Sequence, residues 1–178
     1  MSPRVLLIGM AACVAGCVGE GERTAAGEMT GSGAMLNDAA GATRAVATLG
    51  ERDGGVLVRI DARQMAAGSY GAHVHTTGRC EAPTFESAGP HWNPTGQQHG
   101  RENPQGAHLG DLPNLVVGAD GRGRVEFLIA DATLTQGTKA LQDADGAAVI
   151  VHAAPDDNRT DPSGKSGARI ACGVVAAG

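Results

Sequence analysis

The sequence predicts an all-β domain, an eight-stranded antiparallel sandwich or barrel interrupted by two long loops. Three observations lead there. Short apolar-alternating runs recur with turn residues between them. Helix signals are scarce. Aromatic residues make up only 2% of the 178-residue chain while hydrophobic residues reach 42%, so the core must be built from Val, Leu, Ile and Ala.

A weak strand is expected near 33–37. Residues 42–49 and 55–61 alternate and flank Glu51-Arg52-Asp53-Gly54, where the Asp-Gly pair favours a hairpin. Ala72-His73-Val74-His75-Thr76 follows a turn at Gly68. Residues 114–118 and 124–130 flank Asp120-Gly121, and 147–152 and 169–175 complete the set. About eight short strands argue for an antiparallel sandwich or barrel. Gln136 to Asp143 has room for one or two helical turns. Residues 77–113 form a long loop with five prolines, and 153–168 form a second that is polar and Gly-rich. Long irregular loops in a small domain are usually functional.

Composition excludes several classes. Gly and Pro together are about a fifth of the chain, below the low-complexity range. No stretch of about 20 apolar residues exists to cross a membrane as a helix. The net charge is -5 and no Lys/Arg-rich run occurs, so nucleic acid is not an expected partner.

The first residues read as an export signal. Arg4 precedes the apolar run from Val5 to Ala15, followed by Gly16 and Cys17. Small residues before a Cys resemble the bacterial lipoprotein cleavage box. Residues 1–16 are therefore expected to be a signal peptide, with a lipid on Cys17 as the only link to a membrane. Ordinary cleavage nearby is the alternative. Residues 17–32 then form a tether of Gly, Glu, Thr and Ala, and 33–178 form the domain. The expected location is the periplasm or cell envelope. Cys80 and Cys172 remain as a pair in an oxidising compartment, and two free buried thiols are the alternative.

All six histidines lie at or beyond residue 73: His73, His75, His91, His99, His108 and His152. His73 and His75 are two apart on a strand, so both project from one face, a chelating arrangement. His91, His99, His108 and Asp111 share the long loop, and three imidazoles with a carboxylate match a tetrahedral zinc site. Spacing alone does not say which His serves which metal. A polar loop with chance histidines is the alternative.

Four blocks carry a family resemblance: Gly71-Ala72-His73-Val74-His75; Ser87-Ala88-Gly89-Pro90-His91-Trp92-Asn93-Pro94; His108-Leu109-Gly110-Asp111-Leu112; and Gly167-Ala168-Arg169-Ile170-Ala171-Cys172-Gly173. In this order, with His99 and His152 between them, they resemble the copper/zinc superoxide dismutase family in its exported bacterial branch. The resemblance spans about residues 33–175. It implies a Greek-key barrel and dismutation of superoxide to oxygen and hydrogen peroxide. A redox-cycling copper would be held by His73, His75, His91 and His152. A structural zinc would be held by His91, His99, His108 and Asp111, with His91 bridging the two metals. Copper changes oxidation state and zinc does not, so copper is the expected redox centre.

The resemblance further implies that Arg169 receives the superoxide anion, Asp156 links a copper His to a zinc His, and Cys80 pairs with Cys172. A surface salt bridge to Asp157 or Asp161 is the alternative for Arg169. A homodimer is a partner state the resemblance allows. Two departures stand out: Ala72 and Trp92 occupy positions where many members carry Phe. Both are expected to be packing changes. The loop after His152 is short and of mixed charge, so the substrate-guiding pattern of animal members does not transfer.

Overall fold

The computed structural model describes Met1 and residues 31–175. The export signal, Cys17 and nearly all of the tether lie outside the described residues. The described residues form nine strands in order: β1 (Ser32–Asn37), β2 (Thr43–Arg52), β3 (Gly55–Ala62), β4 (Gly68–Tyr70), β5 (Ala72–His75), β6 (Leu115–Val117), β7 (Gly123–Ala130), β8 (Ala147–His152) and β9 (Arg169–Val175). All ladders are antiparallel, in the order β4-β6-β7-β3-β2-β1-β9-β8-β5.

The two ends of that order are neighbours in sequence. β4 and β5 are halves of one strand broken at Gly71; the first half pairs with β6 and the second with β8. The sheet is therefore a nearly closed barrel, eight strands if the broken one is counted once. Gly71 donates its N–H to Ala154 O at 2.8 Å and accepts from His152 N at 2.8 Å. A Cβ there would run into the Ser166 side chain, so the break needs glycine.

Alternation along the chain sets the register. Ala45, Ala47 and Leu49 of β2 and Val56, Val58, Ile60 and Ala62 of β3 point inward and are buried. β8 breaks the pattern because all six of its residues are buried. Ala147, Val149 and Val151 face the barrel. Ala148 and Ile150 face a second apolar cluster with Phe85 and Ala88 of the long loop and Cys172 of β9. A strand covered on both faces reads as a continuous apolar run, as this one does.

The loop that covers β8 is tied down covalently. Cys80 and Cys172 form a disulfide with Cα atoms 5.7 Å apart and 92 residues of separation. The chain-entropy model gives about 4–5 kcal/mol for a loop of that length. Replacing both cysteines with Ser is expected to lower unfolding stability by about 2–5 kcal/mol. Urea titration of the two proteins under identical metal loading checks this; unchanged stability would leave the bond without a structural role.

The loop also bonds directly to β5. Val74 N donates to Gly110 O at 2.9 Å, Trp92 N to Val74 O at 2.8 Å and Leu112 N to Ala72 O at 3.2 Å. This ladder-like contact brings His91 and Asp111 alongside His75 and His73.

Two sequence expectations need correction. β4 was not foreseen. Residues 136–143 hold no helix: Thr133 and Ala140 form an isolated bridge, and Gly137 takes a positive φ of 80° that suits a turn. Among the described residues the one helical turn lies in the long loop, at Glu86–Ala88.

Candidate metal centre

Strand geometry places the first two donors. Ala72 and Val74 point into the core, which turns His73 and His75 outward beneath the two long loops, where both are completely buried. His152 ends β8 next to them, and His91 comes from the long loop. Donor atoms of His73, His75, His91 and His152 all lie within 4.8 Å of one another. The His91 ring stacks on His73 with centroids 3.9 Å apart.

Each of the three strand histidines has one nitrogen engaged and one bare. His75 Nδ1 donates to Gly89 O at 2.8 Å, and His152 Nδ1 donates to Gly167 O at 3.1 Å. His73 Nε2 donates to Asp156 Oδ2 at 2.7 Å. The opposite nitrogens, His73 Nδ1, His75 Nε2 and His152 Nε2, are buried without any hydrogen-bond partner. Three buried lone pairs without a partner in one place would be costly in a protein with nothing to bind. Engaging one ring nitrogen fixes the tautomer and frees the other as a ligand. Burial lowers the pKa of His73 to about 3 and of His152 to about 4, and holds His75 well below its usual value. At neutral pH these imidazoles are uncharged, the form a metal requires.

The second set has a different geometry. Asp111 Oδ1 stands 2.9 Å from His91 Nδ1, 3.1 Å from His99 Nδ1 and 3.2 Å from His108 Nδ1. His91 Nδ1 and His108 Nδ1 are 3.4 Å apart. Four ligand atoms placed tetrahedrally about 2.0–2.1 Å from an ion are separated by about 3.3 Å, close to these spacings. The other oxygen, Oδ2, accepts the backbone N–H groups of Gly100 at 2.9 Å and His108 at 3.0 Å. Burial alone would raise the Asp111 pKa, but the three histidines hold it well below the usual carboxylate range. Burial likewise opposes protonation of His99, yet hydrogen bonds to Asp111 and Asp156 raise its pKa to about 9.

His91 belongs to both sets. His73 also lies within reach of the second, but its Nε2 is already engaged by Asp156. Asp156 joins the two sets through its two oxygens: Oδ2 receives His73 Nε2, and Oδ1 receives His99 Nε2 at 3.0 Å. Asn114 holds Asp156 by a reciprocal pair of bonds to its backbone, 2.8 and 2.9 Å long. The sequence reading missed that clamp, and nothing in a single sequence marks an asparagine for it.

Arg169 opens β9 beside His152. Its guanidinium donates to Phe85 O at 2.7 Å and to Gly89 O at 2.8 Å. Gly89 O is also the acceptor for His75, so the cation is fixed next to that imidazole. The alternative salt bridges are absent among the described residues. Asp157 engages Thr160 and Lys165, while Asp161 accepts the backbone N–H of His99. Ala72 and Trp92 are both buried in the main core.

Known proteins share this arrangement of sequence and fold. A family profile described as copper/zinc superoxide dismutase matches residues 43–175. The chain is 43% identical over 131 residues to Cu-Zn superoxide dismutase 2 of Aquifex aeolicus, covering 72% of this chain and 77% of that protein. It is 47% identical over 125 residues to superoxide dismutase-like protein YojM of Bacillus subtilis, covering 69% and 64%. Among solved structures, a double mutant of a SOD-like protein from Bacillus subtilis superposes with a TM-score of 0.78 at 42% identity. That match covers 82% of this chain and 97% of the other.

Proposed function

The chain belongs to the copper/zinc superoxide dismutase family, and on that premise we propose that it disproportionates superoxide at a copper held by His73, His75, His91 and His152, beside a zinc held by His91, His99, His108 and Asp111. The observation that carries the reading is the trio of buried, partnerless nitrogens on His73, His75 and His152. Copper, when bound, supplies one-electron exchange with superoxide, and zinc supplies a fixed positive charge.

The protein's own residues do the rest. His91 Nδ1 is engaged with the Asp111 set, which leaves Nε2 for the other set. Shared between two cation sites, the His91 ring would be held without either of its protons. His91 Nε2 is then the atom that takes a proton from solvent and delivers it to the reduced product. Asp156 keeps His73 and His99 oriented from behind. Arg169 has no carboxylate partner among the described residues, and it offers an anion a local positive field in a chain of net charge -5.

Superoxide decay in the presence of the copper- and zinc-loaded protein is expected to approach the diffusional ceiling, about 10⁸–10⁹ M⁻¹s⁻¹. Slow decay with both metals bound would overturn the assignment. It would favour a second reading, metal holding without turnover, which the superoxide dismutase-like name of the Bacillus subtilis relative keeps in view.

We also propose that the domain works outside the cytoplasm, tethered by a lipid on Cys17. The Cys80–Cys172 bond supports an oxidising location. Intact-mass measurement of the mature protein tests the anchor; an N-terminus without acyl mass would exclude it.

A further inference from the structure

A cleft of about 680 Å³ lies against the second donor set, and the reaction described above makes no use of it. His91 and His108 both line it. They are the least buried of the four donors, with side chains 5% and 10% exposed against 0% for His99 and 1% for Asp111. Asp143 and Asp161 line it as well, and no lysine or arginine does among the described residues. His73, His75, His152 and Arg169 take no part in its lining. The cleft that reaches His91 and His108 is thus lined by two carboxylates and lies apart from the Arg169 cation.

We infer that this acid-lined cleft is the port through which a zinc ion reaches its site, with His108 the first ligand it meets, while the anion uses the Arg169 face. The inference rests on reading His91, His99, His108 and Asp111 as the zinc ligands. A single mouth would serve both ions poorly, because a field that draws in an anion repels a dication. The cleft has room for the incoming ion. Six waters of hydration occupy roughly 180 Å³ at about 30 Å³ each, so the ion can enter hydrated and shed water at the ligands. Gln97 lines the cleft and offers a side-chain oxygen on the way, whereas the Asn93 and Gln98 side-chain oxygens already accept hydrogen bonds within the loop.

Asp143 is the residue to change. Its carboxylate accepts only a long 3.4 Å bond from Asp145 N among the described residues, whereas Asp161 holds the His99 backbone N–H at 2.6 Å. The measurement is the rate at which metal-stripped protein takes up Zn²⁺ in competition with a coloured chelator. The variants are Asp143→Lys, Asp143→Asn and, as a control of equal net charge, Asp53→Lys in the β2–β3 turn, which does not line the cleft. For a charge about 10 Å from the entering ion, Asp143→Lys should slow uptake about threefold at 0.1 M salt and more at 0.01 M. Asp143→Asn should fall between it and the unmodified protein, and Asp53→Lys should match the unmodified protein. Equal slowing by Asp143→Lys and Asp53→Lys, or no slowing by either, overturns the port. Failure of the unmodified protein to bind one zinc would instead overturn the ligand assignment and the port together.

Discussion

Replacing Asp111 with Asn is expected to weaken zinc binding by more than about a hundredfold, beyond what loss of an outer hydrogen-bonding partner usually costs. One oxygen of Asp111 meets three imidazole nitrogens, and the other receives two backbone N–H groups. Asparagine keeps the shape but has one oxygen for those two jobs. Its NH₂ would face either the imidazoles or the backbone donors. The same change should destabilise the metal-free protein by about 3–5 kcal/mol, because it removes the charged hub of a buried network. Competition titration with a chelator reads the first effect, and thermal unfolding of metal-stripped protein reads the second. Zinc affinity within tenfold of the original would mean that Asp111 organises the loop without ligating metal.

Arg169→Glu is expected to slow dismutation about a hundredfold and to reverse its salt dependence. Each unit of charge acting on the anion at about 5 Å, in a half-buried site, is worth about 1.4–2 kcal/mol, close to tenfold in rate. Arg169→Ile removes one unit and should cost about tenfold. Arg169→Glu removes two. If the field guides the substrate, added salt slows the unmodified enzyme and speeds the Glu variant. Arg169→Lys separates charge from geometry. It keeps the cation but not the planar fork that binds Phe85 O and Gly89 O, so its loss should fall short of the Ile variant's. Copper and zinc content must be unchanged in all three. An unaltered rate in the Glu variant would remove Arg169 from the mechanism.

The parts legible in the sequence are those written in side chains. Alternation in 42–49 and 55–61 specified both strands and their inward faces, although β2 runs on through Glu51 and Arg52, which the sequence places in the turn, and the two-residue spacing of His73 and His75 specified a shared face. The fully apolar run at 147–151 carried β8. What was not legible is written in backbone. Gly68-Ser69-Tyr70 has no alternation, and it becomes β4 only because β6 lies beside it. The carbonyls of Phe85, Gly89 and Gly167 set the Arg169 position and two histidine tautomers, yet any residue type would supply the same atom. The polar stretch at 136–143 had a plausible helical length, but Gly137 at positive φ and the bridge from Thr133 to Ala140 turn the chain back instead.

The contact between the long loop and β5 has a consequence for solubility. On one side Ala72–His75 pairs with β8; on the other its only backbone partners among the described residues are Trp92, Gly110 and Leu112 of the loop. A strand with one bare side is a template for strands of other molecules, and proteins cover such edges or suffer aggregation. Here the cover is the same segment that carries His91, His99, His108 and Asp111. Whatever loosens those donors from one another also unseats the cover and presents an apolar strand edge to neighbouring chains. Metal retention and resistance to edge-to-edge association are thus one property of this fold, held by one loop.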